Sequence, residues 1–88
     1  MSYSRPMKKP GTVMAVSKNK ARLAVSNEDG WTVVELLGRE GEIAVGDTVF
    51  ARDWLATGSE DLIFNGEVFS ACFLGTGDRK WALGQIAH

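Results

Sequence analysis

The sequence predicts a small all-β barrel of five to seven short antiparallel strands, and three observations support that fold. Short segments rich in β-branched and aromatic residues recur at intervals of roughly 8–12 residues, with turn residues between them. Gly46-Asp47 stands directly before the alternating segment Thr48-Val49-Phe50, and this residue pair starts a strand sharply. Asn65-Gly66 is the strongest two-residue hairpin signal in the chain.

The first half of the chain alternates as strands do. Ala21, Leu23 and Val25 would face one side of a strand at 20–26, and the turn Asn27–Gly30 would join it to a strand rich in β-branched residues. A polar loop with two glycines at 38–42 would then precede the Gly-Asp turn. Three strands are predicted here, at residues 12–16, 20–26 and 31–37.

The second half continues the same pattern. A fourth strand would follow the Gly-Asp turn, and a loop at 55–60 would separate it from the hairpin around Asn65-Gly66. No window of useful length shows the apolar spacing of a helix, so the last apolar segment is also interpreted as a strand. These strands are predicted at residues 48–54, 61–64, 67–74 and 79–86.

The chain of 88 residues is long enough for one domain. Residues 1–10 contain two prolines, three basic residues and little periodic apolar content, which is typical of a flexible basic arm. We therefore expect an N-terminal arm at 1–10 and a single barrel domain at 11–88.

Composition and the distribution of apolar residues indicate the cellular compartment of the protein. With 44% hydrophobic and 24% charged residues the chain resembles an ordinary globular protein, and its one cysteine, Cys72, excludes an intrachain disulfide. No apolar run approaches the roughly 18 residues of a membrane span, and the first ten residues lack the apolar stretch of a secretory signal. The expectation is a cytoplasmic protein without a membrane partner.

The residues needed for catalysis are sparse. The only histidine is His88, at the end of the chain, and Cys72 lies in a strand pattern that suits a small buried hydrophobe. No phosphate-binding loop is found, and the acidic residues Asp47, Asp53, Glu60 and Asp61 are most simply solvated loop carboxylates. We expect no enzyme activity, no cofactor and no metal site.

Basic residues are concentrated at the start of the chain. Residues 1–22 contain six basic residues and no acid, whereas residues 23–67 contain ten acids against two arginines. Lys18, Lys20 and Arg22 are therefore candidate contacts for an anionic partner. The alternative is a solvated strand face, on which basic residues also deter aggregation.

An aromatic and basic row follows the Gly-Asp turn. If Val49 and Ala51 point into the barrel, then Phe50, Arg52 and Trp54 share its outer face, where aromatic rings could stack on unpaired bases. The alternative assignment puts Phe50 and Trp54 in the core and Arg52 at the rim.

Several of these segments, over about half of the chain, match a known pattern. Gly11-Thr12-Val13, the apolar strand 21–25, the segment Gly30–Leu36 and Val45-Gly46-Asp47-Thr48-Val49 follow its order. The chain thus resembles the oligonucleotide-binding (OB) fold RNA-binding domain of the ribosomal-protein S-one type. The predicted fold is thus a small OB-like or SH3-like barrel, and the resemblance implies an OB fold that binds RNA. The chain departs from that family at its usual aromatic positions, which here hold Asn19 and Arg22.

Together these features predict a non-enzymatic module that binds single-stranded RNA or DNA through a basic and aromatic face. Lys18, Lys20, Arg22 and the arm would contact phosphates, and Trp31, Phe50 and Trp54 would stack on bases beside Arg52. The alternative is a protein-interaction or structural module. In that case the uncharged strand Val68–Leu74 would lie at a sheet edge and pair with a second copy as a homodimer.

Overall fold

In the computed structural model, which describes residues 8–87, six strands and one short helix follow one another along the chain. The elements are β1 (Lys9–Val16), β2 (Arg22–Asn27), β3 (Gly30–Leu36), β4 (Thr48–Ala51), β5 (Gly58–Phe64), β6 (Glu67–Gly77) and α1 (Arg79–Ile86).

The strands form a closed antiparallel barrel in the order β1-β2-β3-β6-β5-β4, which confirms the predicted small all-β barrel. Strands β1 to β3 are a meander. The chain then crosses to the free side of β1, where β4 pairs, and the β5–β6 hairpin closes the barrel because β6 returns to β3. Around this closed barrel of six strands, β3 and β4 are three strands apart in either direction, so they lie on opposite walls.

The Gly-Asp turn anchors β4 to β1. Gly46 has a φ of 97°, and the Asp47 N–H donates to the Ala44 carbonyl, so the four residues Ala44 to Asp47 form a turn that glycine favours. The Asp47 carboxylate accepts from the Ala44 N–H at 2.8 Å. Val13 on β1 bonds both turn residues through its own N–H and carbonyl. The turn therefore fixes the register in which β4 meets β1.

The interior of the barrel holds one apolar core. Its largest member is Trp54, whose indole stacks on Phe73 with ring centroids 5.9 Å apart and donates from Nε1 to the Lys9 carbonyl at 3.1 Å. Gly11 lies under this indole, since a Cβ built there would lie 2.9 Å from Trp54 and 2.5 Å from Val25. The inward side chains of the core include Val13, Leu23, Val25, Val34, Val49, Leu62, Phe69 and Phe73.

The predicted last strand is wrong, because residues 79–86 form α1. The Asp78 carboxylate caps this helix by accepting from the Trp81 N–H at 2.8 Å. Ala82 and Ile86, one helical turn apart, pack on Ala24 and Val33 on the outer side of the sheet. The helix thus creates a second, smaller apolar cluster outside the barrel.

Two predicted boundaries also change. Lys9 and Pro10, assigned to the arm, belong to β1 because they pair with Ala51 and Phe50. The rest of the predicted arm, apart from Lys8, lies outside the described residues. The predicted strand at 48–54 ends at Ala51, and the chain turns through Arg52 before it reaches β5.

The segment Val68–Leu74 is not an edge strand. It pairs with β5 from Glu67 to Phe73 on one side, and β6 pairs with β3 from Ala71 onward on the other. The Ser70 carbonyl also accepts from the Leu37 N–H. Because closure of the barrel uses these backbone groups, the predicted addition of a second copy to this strand is not available.

The close approach at Gly11 makes a stability test possible. Gly11→Ala places a methyl group inside contact distance of Trp54 and Val25, so we expect it to lower the free energy of unfolding by about 1–3 kcal/mol. Gly84→Ala is the matched control, because a Cβ at Gly84 in α1 meets nothing within 4 Å. The control is expected to be neutral or to stabilise by up to about 1 kcal/mol, because alanine favours helix.

Urea denaturation followed by tryptophan fluorescence measures both variants. A Gly11→Ala protein as stable as the unsubstituted chain would show that the indole does not lie against β1.

Candidate nucleic-acid interface

The loop between β1 and β2 presents two lysines from a rigid turn. Ser17 is buried, its Oγ donates to Asn19 Oδ1 at 2.7 Å, and it accepts from the Arg22 N–H at 2.9 Å. The Lys20 N–H donates to the Ser17 carbonyl, and Lys20 has a φ of 67°. Lys18 and Lys20 are both exposed. These hydrogen bonds therefore fix the backbone from which Lys18 and Lys20 project.

Arg22, the third predicted phosphate contact, has partners within the protein. Its Nε donates to Glu35 at 3.0 Å, and its Nη1 donates to the Gln85 carbonyl at 3.1 Å. The second bond places the guanidinium at the C-terminus of α1, where the helix dipole favours a cation. Arg22 thus connects the start of β2 to the end of the helix.

Trp31 lies at the other end of the β2–β3 hairpin, on the outer side of the barrel. It is half-buried and packs against the apolar cluster under α1. It pairs with Ser26 on β2 and with Gly77 on β6. Trp31 therefore lies on the wall over which the helix lies, and the loop with the two lysines adjoins the end of that helix through Arg22.

The predicted row of Phe50, Arg52 and Trp54 does not form. Val49 and Ala51 do point inward and Phe50 outward, but the strand ends at Ala51, and the turn that follows carries Trp54 into the core with no exposed surface. Trp54 is therefore corrected from a stacking platform to a core residue. Phe50 and Arg52 lie on β4 and its end, on the wall opposite Trp31.

The helix adds residues that the sequence pattern missed. Trp81 keeps 36% of its surface exposed and covers Gly75 and Gly77, where an added Cβ would lie 3.3 Å and 2.9 Å from its ring. Arg79 and Lys80 precede it in the first turn and are exposed. Asp78, a good N-cap residue directly before this segment, is the signal that could have revealed the helix.

Two further cations, Arg39 and Lys9, form ion pairs with carboxylates. The Arg39 guanidinium binds Glu42 and Glu67 and lies 4.1 Å from the centroid of the Phe69 ring. These hydrogen bonds raise the pKa of Arg39, and the same contact lowers the pKa of Glu42. Lys9 Nζ donates to the Glu28 carboxylate 3.3 Å away, and this hydrogen bond raises the pKa of Lys9. Arg39 and Lys9 therefore already have carboxylate partners on the surface of the protein.

Buried polar groups at the Trp54 end of the barrel are satisfied by one another. Thr32 Oγ1 lies 2.6 Å from Thr76 Oγ1, both hydroxyls contact the Trp54 carbonyl, and Asn27 donates to Thr32. This network closes the end of the barrel. Among residues 8–87, no three His, Cys, Asp or Glu side chains are grouped so as to hold a metal ion. The only helix in that range is too short to cross a membrane.

Comparisons with known proteins add no family to this geometry. No model of a protein family, no curated protein and no solved structure matches the chain.

The three tryptophans are expected to differ in access to solvent. A chain that keeps only Trp54, made by Trp31→Phe and Trp81→Phe, should be quenched by acrylamide several-fold less than the unsubstituted protein, because its indole is fully buried. The single variant Trp31→Phe, which retains Trp81, is the matched control and should stay readily quenched. Equal quenching of the folded Trp54-only chain and the same chain in urea would contradict the burial of Trp54.

Proposed function

We propose that this protein is a small, non-enzymatic OB-like module that binds single-stranded nucleic acid, with RNA as the expected form. Binding would use the helix-side wall, defined as the outer surface formed by α1, the β1–β2 loop and the outer face of β3. The residues proposed to act there are Lys18, Lys20, Trp31, Arg79, Lys80 and Trp81.

The observation that carries this proposal is the placement of cations at both ends of α1. The loop with Lys18 and Lys20 lies beside Arg22, which bonds to the C-terminal end of the helix, while Arg79 and Lys80 occupy its first turn. Within the described part of the chain, a carboxylate lies within 4.0 Å of none of the side chains Lys18, Lys20, Arg79 and Lys80. Unpaired cations separated along one wall suit the repeated phosphates of a strand.

Two indoles on the same wall support the proposal. Trp81 follows Arg79 and Lys80 directly, so an exposed ring and two cations arise from one helical turn. Trp31 pairs with Gly77, one of the two glycines that Trp81 covers. A base stacked on an exposed aromatic ring contributes about 1–3 kcal/mol, and this contribution needs no particular base.

The helix determines where the nucleic acid would lie. OB barrels bind oligonucleotides on the face of strands 2 and 3 and on the loop between strands 1 and 2. In this protein Ala82 and Ile86 cover that face at Ala24 and Val33. The proposed contacts therefore lie on the exposed side of α1 and not on the strand face beneath it. The β1–β2 loop would still contact the oligonucleotide, as the corresponding loop does in OB barrels.

A titration of fluorescently labelled single-stranded RNA tests the proposal at about 50 mM and about 200 mM salt, because phosphate contacts make affinity fall with salt. Each phosphate contact to a single strand adds about 0.7 to the slope of log affinity against log salt. The variant Lys18→Gln with Lys20→Gln should therefore bind more weakly and lose up to about 1.4 of that slope. RNA should also quench tryptophan fluorescence through Trp31 and Trp81.

Two single variants locate the interface. Lys80→Gln and Arg52→Gln each remove one positive charge, from the helix-side wall and from the opposite wall respectively. We expect Lys80→Gln to weaken binding and Arg52→Gln to leave it unchanged. The reverse result would place the interface on the β4 wall, and the absence of binding at high micromolar protein in low salt would refute the function.

A further inference from the structure

A row of apolar residues crosses the outer wall that lies opposite the helix. Pro10 on β1 pairs with Phe50 on β4, Phe50 pairs with Ile63 on β5, and Ile63 pairs with Val68 on β6. All four side chains project outward, because their neighbours Gly11, Val49, Leu62 and Phe69 are buried in the core. We call these four residues the seam row.

The seam row is unusual for the outside of a barrel. An antiparallel sheet that faces water usually places polar side chains on that face. Here Val68 is 58% exposed, Phe50 and Ile63 are only half-buried, and α1 contacts neither β4 nor β5. On the opposite wall α1 covers the corresponding apolar positions. The seam row thus lacks the cover that the other wall has.

The row crosses the weakest joint of the barrel. Strands β4 and β5 pair at a single position, Phe50 with Ile63, whereas β1 and β4 pair at four positions and β5 and β6 at seven. A groove of about 240 Å³ opens beside this joint. It is lined by Lys8, Arg52, Glu60, Asp61, Ile63 and Val68.

Opposite charges lie on the two sides of this joint. Arg52 follows Phe50 by two residues, and Asp61 precedes Ile63 by two residues on the antiparallel neighbour, so both flank the same end of the seam row. Within residues 8–87, neither side chain has an opposite charge within 4.0 Å. Among the described residues, the wall thus carries the cation Arg52 on the β4 side of the joint and the anion Asp61 on the β5 side, each without an ion-pair partner.

We propose that a second copy of this chain binds here, with a two-fold axis that runs parallel to the strands along the β4–β5 joint. Such an axis exchanges the two sides of the joint between the copies. Phe50 then faces the partner's Ile63, and Arg52 faces the partner's Asp61. The apolar row and both charges therefore meet their complements in a single arrangement.

The charges distinguish this occupant from a nucleic acid. Lys8 and Arg52 line the groove together with Glu60 and Asp61, so a phosphate beside Arg52 would also lie close to two carboxylates and gain little net attraction. A copy of the same wall instead presents Asp61 to Arg52 and Arg52 to Asp61. The contact is between side-chain faces and leaves the backbone pairing of β6 intact.

Sedimentation velocity and light scattering over low micromolar to millimolar protein, without RNA, test the proposal. The unsubstituted chain is expected to shift from monomer to dimer with concentration. Arg52→Asp and Asp61→Arg should each raise the dissociation constant at least tenfold, because like charges then face each other. The double variant with both exchanges restores opposite charges across the axis, and we expect it to recover a dissociation constant close to that of the unsubstituted chain.

Matched variants distinguish the effect of the seam row on dimerisation from a general effect of replacing an exposed apolar side chain. Ile63→Glu should abolish the dimer, whereas Val45→Glu, which alters an apolar side chain 62% exposed in the turn before β4, should not. Circular dichroism confirms that each variant is folded. A chain that stays monomeric at millimolar concentration would overturn the proposal, and so would a dimer that is indifferent to Ile63→Glu or is not rescued by the double charge exchange.

Discussion

The barrel depends on the way Trp54 fills its end. The indole stacks on Phe73, lies against Gly11, and donates its N–H to the backbone of β1. This one side chain therefore contacts residues from β6 and β1, two strands that are distant in sequence. A small domain has few core residues with which to offset its conformational entropy, and loss of a buried tryptophan costs about 3–5 kcal/mol. The absence of a side chain at Gly11 is what allows the indole to lie there.

Local pattern was sufficient to predict the barrel. Alternation over Leu23 and Val25, the turn at Gly46-Asp47 and the Asn65-Gly66 hairpin each reflect a physical requirement of neighbouring residues, so they identify strands and turns without knowledge of the rest of the fold. The alternation failed at Trp54 because β4 is only four residues long. Beyond Ala51 the backbone turns, and a two-residue period no longer says which side of the barrel a residue faces.

The binding surface required information that no local pattern contains. The sequence pattern predicts that Trp31 and Phe50 share one face, yet β3 and β4 are farthest apart around the barrel, and strand order is a consequence of long-range pairing. The helix was missed because only Ala82 and Ile86 form its apolar stripe, which is too short to give a clear helical period. Once α1 is placed, Trp81 and its two basic neighbours lie on the same wall as Trp31, whereas Phe50 and Arg52 lie on the opposite wall.

The attachment of α1 has a consequence for the dynamics of the chain. The helix contacts the barrel through two buried side chains, through the ring of Trp81 on two glycines and through the hydrogen bond from Arg22, and Asp78 caps its N-terminus. The strands of the closed barrel pair with one another without it. Segments with few buried contacts open at lower free energy than the core of the same domain. The amide hydrogens of α1 should therefore exchange with solvent through local detachment, well before those of β2 and β3, so that the wall proposed to meet a ligand is also the part of the protein that can adjust its shape at least cost.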